Sequence, residues 1–511
     1  MPMRPWTILM LMVMLIATAI EATNVASAAS LYWSGSGSAQ GGSGTWGTTL
    51  TTFGTAAAGP FDLVWDNALN FGDTVLFGGP AGVVTLDTEI SVRGLTLNNN
   101  TTITGTSPLN GGGAALVVSI GGGSNRAIGA TLTAPIIGTG GLSVSGSRGP
   151  LVLGVANTFS GTAAIGGGSA AGTTVVQIDD PAALPTTANL NLKNGIVMLT
   201  ATSGNFSRSI GTGNNQVQLN GGGGFAASGG DRTVTLGGST ISWNGTNSFA
   251  KTSPFMLGHA SADSTITLTN ALNLSNGTRT VLVGDGSAAI DAVLAGQVGV
   301  SSGSSGSLTK TGDGTLALPA NNLLNGTVAV SGGTLQLGNA GTTGALANAA
   351  GITVSSGATF AVNRTNAISQ GTGFPAITGA GGFAQAGSGT TTLTAANAFS
   401  GPTRVKAGVL RLAAGGSIDA SSRVTVSAGA VFDATAVGTY IVPATQTLAG
   451  SGTMLGTIVT GSGATISPGA SPGTLTFDGS LTFGGGGNYS WQILSGTGTA
   501  GSTDAWDLVN V

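Results

Sequence analysis

The feature that most constrains this chain is a short pattern laid down more than once in the same order. From Gly306 to Leu337 (GSLTKTGDGTLALPANNLLNGTVAVSGGTLQL), Leu308, Leu316, Leu318, Val328, Val330, Leu335 and Leu337 recur at period two within short runs, and Gly or Asn clusters separate the runs. Such alternation marks short strands with one buried face. Ala384 to Leu412 (AQAGSGTTTLTAANAFSGPTRVKAGVLRL) repeats the order, with Asn397-Ala398-Phe399-Ser400-Gly401 standing 75 residues after Asn322-Leu323-Leu324-Asn325-Gly326. A weaker third copy runs from Gly149 to Ile165, GPLVLGVANTFSGTAAI. A supersecondary unit repeated in fixed order predicts a stacked architecture, in which each unit buries its apolar face against the next. A disordered chain would be poor in aliphatic residues and rich in charge. This one is 41% hydrophobic and 6% charged, so it can bury a core despite its 91 Gly.

Residues 1–28 carry a secretory signal pattern. Arg4 supplies the positive region, Thr7 to Ile20 the apolar stretch, and Ala26-Ser27-Ala28 a small-x-small cleavage site. The apolar run is shorter than the ~20 residues a membrane span needs, and no later stretch could cross a bilayer as a helix. An exported chain could use disulfides. With 0 Cys, this one must draw its stability from backbone pairing and aliphatic stacking.

Residues 29–73 are rich in Gly, Ser and Thr and hold Trp33, Trp46 and Trp65. They predict an N-terminal cap over the open end of the stack; the alternative is a set of exposed sugar-binding platforms. The coil rhythm begins at Thr74, and Asn98-Asn99-Asn100 suits a left-handed corner with side-chain hydrogen bonds between stacked turns. Irregular coils fill 74–305, the two clear units lie within 306–447, and terminal coils occupy 448–511. At roughly 20 residues per coil the mature chain gives about two dozen coils, a rod on the order of 100 Å. The fold expected is all-β: a right-handed parallel β-helix (β-solenoid) with an atypical N-terminal cap.

The unit resembles the autotransporter-associated β-strand repeat of surface-exposed and secreted bacterial proteins, whose pattern runs G-x-G-T-L-x-L-x-x-x-N-x-x-x-G-x-x-x-V-x-x-G-x-L-x-L. Gly312, Gly314, Thr315, Leu316, Leu318, Asn322, Gly326, Val330, Gly333, Leu335 and Leu337 fit it. So do Gly387, Gly389, Thr391, Leu393, Asn397, Gly401, Val405, Gly408, Leu410 and Leu412. Ser467-Pro468-Gly469 and Ser471-Pro472-Gly473-Thr474-Leu475 resemble the segment that commonly follows such repeats. Each Pro there fixes φ and each Gly permits φ > 0, which predicts a double corner. The resemblance implies a scaffold and no particular activity. It also implies a β-barrel translocator or a Pro-Glu-Pro sorting tail downstream. The sequence reaches Val511 within a strand-like run, AWDLVNV, and the expectation is either a piece of a longer product or a chain released as it stands.

Little in the sequence carries chemistry. The single His, His259, could recruit Asp263 and a nearby Ser, but no G-x-S-x-G elbow accompanies it. One His and no Cys leave no metal site of those ligands. Glu89 is the only Glu after the signal, whereas sugar-cleaving enzymes use two carboxylates at a defined spacing. The carboxylate pairs are Asp179 with Asp180, Asp285 with Asp291, and Asp504 with Asp507. Asp179 and Asp180, being adjacent, would point to opposite sides of a strand and read as an Asp-Pro turn. Lys193, Lys251, Lys310 and Lys406 are scattered. Gly284-Asp285-Gly286 and Gly312-Asp313-Gly314 lack the tandem repetition of a calcium roll and read as turns. The Gly runs at 221–224 and 484–487 precede no helix, so neither is a phosphate loop. No catalytic, cofactor-binding or metal-binding residue is expected.

The function expected is that of an exported, non-enzymatic β-helical scaffold. It would be passenger-like, secreted or at the cell surface after Gram-negative-like export, and serve adhesion, biofilm matrix or surface coating. One alternative is a β-helix polysaccharide-degrading enzyme with its site on a lateral face. The other is a non-catalytic carbohydrate-binding protein using Trp243, Trp491 or the N-terminal Trp residues. The partners expected are carbohydrate or a host or matrix surface, and an outer-membrane translocator or sorting machinery if the chain is a piece. A net charge of −3 gives no electrostatic case for nucleic acid or an anionic membrane.

Overall fold

A computed structural model describes residues 28–121, 129–146, 149–167, 174–244, 249–299, 306–469 and 472–511. The signal pattern lies outside these residues but for its last position. The chain divides into two compact units, residues 1–151 with 157–161, and residues 152–156 with 162–511.

In the first unit the chain winds through three sheets. One holds Ser30–Trp33, Thr74–Phe77, Gly94–Leu97, Leu116–Ile120 and Gly141–Ser145, all parallel. A second holds Gly44–Trp46, Val83–Leu86, Thr102–Thr104 and Ala130–Thr133. A third holds Ile90–Ser91, Leu109–Asn110 and Ile136–Ile137. Register sets like upon like: Val75, Leu95, Val118 and Val144 form one buried column, and Val84, Ile103 and Leu132 another. Strands this short are not stable alone. They hold because each ladder satisfies its backbone groups from the coils on either side, while alternate side chains enter the core.

The start of this unit is different. Thr51–Gly54 runs antiparallel to Ser30–Trp33 and to Leu63–Val64. Trp33, Trp46, Phe53, Trp65 and Phe77 pack as one cluster, with ring centroids 5.2 to 6.3 Å apart. The sugar-platform alternative fails here, because the three Trp are at most 1% exposed.

The second unit also presents three faces. The first face runs in parallel register from Thr174–Ile178 through Gly277–Val283, Gly306–Thr311, Thr327–Val330, Gly351–Val354 and Ile377–Gly379 to Ala398–Phe399. The second face runs from Phe206–Ser207 through Ala292–Leu294, Thr315–Leu318, Thr334–Gly341, Thr359–Arg364, Gly382–Gln385, Thr403–Val405, Arg423–Val426, Thr447–Gly450 and Thr465–Pro468 to Asn488–Tyr489. The third carries Ile368–Ser369, Thr390–Leu393, Val409–Leu412, Val431–Asp433, Thr453–Thr460, Thr474–Phe483 and Leu508–Asn510.

The expected all-β parallel solenoid is therefore what the chain forms. Among the described residues its turns number about 17, fewer than the two dozen expected. Coil length varies: the step from Val234 to its partner Leu268 is far longer than that from Leu316 to Leu335.

The two clear repeat units occupy different faces. Leu316 and Leu335 of the earlier copy lie on the second face, whereas their counterparts Thr391 and Leu410 lie on the third. Val330 lies on the first face and its counterpart Val405 on the second. The later copy is thus seated one face further round. A pattern of alternating side chains and Gly corners specifies a rung and a bend, not which side of the coil they build.

Two local expectations need comment. Asn98, Asn99 and Asn100 are not among the residues with positive φ, so that corner is not left-handed. Its side chains do bridge coils: Asn99 Nδ2 donates to the carbonyls of Gly78 (3.1 Å) and Pro80 (3.0 Å), and Asn100 Oδ1 accepts the Gly129 N–H. At the Pro-Gly corners, Gly469 has φ 75° and a Cβ there would sit 2.4 Å from Gly473 N, so both chirality and space require glycine. Ser471, between these corners, lies outside the described residues.

Candidate functional site

Of the carboxylates singled out in the sequence, Asp291, Asp507 and Asp180 are tied to backbone N–H groups, and Asp179 and Asp504 to neighbouring side chains. Asp291 accepts the N–H groups of Gly286 and Thr315, at 2.7 and 2.8 Å. Asp507 accepts those of Gly473 and Gln492, both at 2.9 Å. Asp180 caps Ala182, and Asp179 accepts from Gln177. Asp504 accepts from Ser502. Asp263 is held by the Gly229 N–H and the Ser264 hydroxyl, both at 2.7 Å, and these bonds lower its pKa. His259 Nδ1 accepts the Ser261 N–H and lies 2.7 Å from the Ser261 hydroxyl, while burial lowers its pKa. Asp263 and His259 are thus both engaged elsewhere than with each other. Among the described residues no group of three or more His, Cys, Asp or Glu could hold a metal ion. Trp243 is fully buried, stacked on Phe249 with centroids 4.6 Å apart. Trp491 is 50% exposed, with its indole N–H on the Asp507 carbonyl.

The corners of the repeats hide a polar device. Lys310 is fully buried. Its ammonium donates to the carbonyls of Gly312 (2.5 Å), Gly332 (2.8 Å) and Gly314. Desolvation pulls its pKa down to about 8, partly offset by Asp291, Asp313 and Asp285. The matching residue in the later copy, Gln385, donates its amide to the equivalent carbonyls of Gly387 (2.6 Å) and Gly389 (3.0 Å). The motif Asn behaves alike in all three copies. The side-chain carbonyls of Asn157, Asn322 and Asn397 accept the backbone N–H of Ile136, Val298 and Ile377, at 2.7, 2.9 and 3.0 Å. Each is buried and stitches its coil to the preceding one. These are structural sites. Sequence reading places Lys310 among scattered lysines and gives the Asn only as motif positions between the runs, because only three-dimensional closure shows that both point inward.

The second face of the second unit carries a depression in its surface. A groove of about 220 Å³ crosses its rungs, lined by Thr315, Thr334, Thr359, Gln336, Ala361, Ala384, Arg404 and Lys406 together with Ala289 and Ala386. Register explains the lining. Leu316, Leu335, Phe360 and Phe383 point inward in one column, so the alternate residues Ala317, Gln336, Ala361, Ala384 and Arg404 form an outward column. Thr315, Thr334 and Thr359 stack beside it. Arg404 and Lys406 are exposed, and among the described residues the ion pair present is Arg411 with Asp433. No lining residue is acidic. A larger depression of about 470 Å³ at Asn321, Leu323 and Ile368 also contains Arg364, but that guanidinium is spent on the carbonyls of Gly344 and Thr342.

Comparison with known proteins places the repeats. The family described as the passenger-associated-transport-repeat matches residues 308–337 and 383–412. The chain is similar to the adhesin BmaC autotransporter of Brucella suis biovar 1 (strain 1330), with 35% identity over 176 residues, covering 33% of this chain. The match spans 5% of that relative's length. No solved structure gives a significant match. Both repeats are wound into a parallel β-solenoid, and in them the chain is similar to the passenger-type repeats of autotransporters.

Proposed function

We propose that this chain is a non-enzymatic scaffold that is exported through the signal at residues 1–28 and displayed at the cell surface or released, where it serves adhesion. The observation that carries the reading is the passenger-type repeat built into a parallel solenoid. The likeness to an autotransporter adhesin supports it. The non-enzymatic part is supported by the way one carboxylate of two candidate pairs, Asp291 and Asp507, is consumed in holding backbone N–H groups. Residues 29–73 act as the cap of the stack, a role supported by their antiparallel strands and Trp cluster. An outer-membrane translocator would be the export partner.

The test is surface labelling and adhesion on intact cells. Cells expressing the gene should expose the chain to external antibody and protease, and its deletion should lower attachment to a host or matrix surface. A chain that stays inside the cell, or turnover of pectin or alginate by the pure protein, would contradict the reading.

A further inference from the structure

We propose that the groove on the second face binds a linear acidic polysaccharide laid along the stacking axis. The inference deepens the adhesive reading above and rests on it only for the role, not for the binding.

The available chemistry selects the ligand. The backbone donors and acceptors of this face are consumed by the ladders that join Thr315–Leu318 to Thr334–Gly341, Thr359–Arg364, Gly382–Gln385 and Thr403–Val405. A peptide therefore cannot dock here by adding a strand. Side chains alone remain to make contacts. Thr315, Thr334 and Thr359 supply a column of hydroxyls at the rung spacing of ~4.8 Å. Such a column can exchange hydrogen bonds with a polyhydroxylated chain crossing several rungs.

The alanines of the floor leave room. Ala361 and Ala384 face outward yet are 3% and 2% exposed, so they lie at the bottom of the trough. No aromatic side chain lines it, which removes the stacking platform a neutral sugar would use.

Charge is then the remaining handle. Arg404 lies on the strand Thr403–Val405 and Lys406 directly follows it, two residues and roughly 6.6 Å further along the extended chain. Arg423 stands on the next rung, beside Thr425, which is opposite Arg404. It is exposed, with its Nε 3.3 Å from the Thr425 hydroxyl. Three cations on one face, in a chain with net charge −3, form a local site for carboxylate or sulfate groups. They are too few for the extended phosphate tracking that nucleic acid requires.

The experiment measures binding of the purified full chain to polygalacturonate and to heparin in 0.15 M salt. Dextran and double-stranded DNA serve as comparison ligands. Binding is expected to the two acidic glycans and not to dextran. The double variant Arg404→Ser, Lys406→Ser should weaken it at least tenfold and flatten its salt dependence. The variant Ala361→Trp should weaken it equally by filling the trough without altering charge, with an unchanged circular dichroism spectrum showing that the fold is kept. Equal binding of dextran, or tighter binding of DNA than of either glycan, would overturn the ligand assignment. Undiminished binding in either variant would overturn the groove. Failure of the adhesive reading shows separately: cells carrying the double variant would then attach as wild type although the pure variant no longer binds glycan.

Discussion

At the scale of single residues the fold rests on buried side chains that serve backbone groups at the corners. Lys310 is the clearest case. Its folded pKa of about 8 lies below the ordinary 10.5, so between those values the unfolded chain holds more protons than the folded one. Stability should therefore rise as pH climbs through that window. Lys310→Gln, which copies Gln385, should remove that rise at little cost in denaturant midpoint at pH 7. Lys310→Met should cost about 1–3 kcal/mol for each carbonyl left without a donor. Denaturant unfolding of the three proteins from pH 7 to 10 checks both outcomes. Asn397 offers a second test. It accepts the Ile377 N–H and donates to the carbonyls of Ala395 and Ser417, at 2.9 and 3.2 Å. Asn397→Leu should cost several times the loss from a change at the exposed neighbour Ala398, again read from unfolding midpoints. The motif was legible here as letters, Asn322 and Asn397 at one spacing. Its burial was not, because polar residues next to Gly look the same in sequence whether they cap a corner from inside or face water.

At the scale of the element, period-two alternation located most strands, since one rung needs only an inward and an outward side chain. The face on which a rung sits was not legible, because nothing local distinguishes three faces of similar chemistry. The one-face offset between the two repeats has a consequence. Replacing Ala398-Phe399-Ser400 by the Leu323-Leu324-Asn325 sequence moves a segment that links the second face to the first (Leu318 to Thr327) onto the first-face rung that links the third face to the second (Leu393 to Thr403). If corners are interchangeable, the graft should fold natively and lose no more than about 1–3 kcal/mol, the cost of an imperfectly matched core side chain at buried Phe399. Loss of cooperative unfolding would show that each face demands its own corner. Core columns should be less forgiving. Phe360 packs against Phe374 and Phe383, with centroids 5.7 and 6.3 Å away, and Phe360→Ala should cost about 3–5 kcal/mol. Calorimetric melting would register that loss.

At the scale of the molecule the repeat identified the architecture, and the catalytic inventory came out nearly empty before any fold was known. The groove escaped sequence reading. Thr315, Thr334, Thr359, Ala384 and Arg404 are brought together only by register, over stretches with no common motif. The central claim is that successive rungs of the second unit stack parallel and in register. Thr334, Thr359, Gly382, Pro402, Arg423 and Thr447 occupy successive places in one column, and Thr465 follows Thr447. With 0 Cys in the chain, nitroxide labels can be placed uniquely. Pulsed dipolar spectroscopy on Thr334→Cys with Thr447→Cys should give about 24 Å between backbone positions, five rungs at ~4.8 Å. Moving the second label to Thr465→Cys should add about one rung, ~5 Å. A distance that does not lengthen on that move, or one set by any other spacing, would contradict the stack.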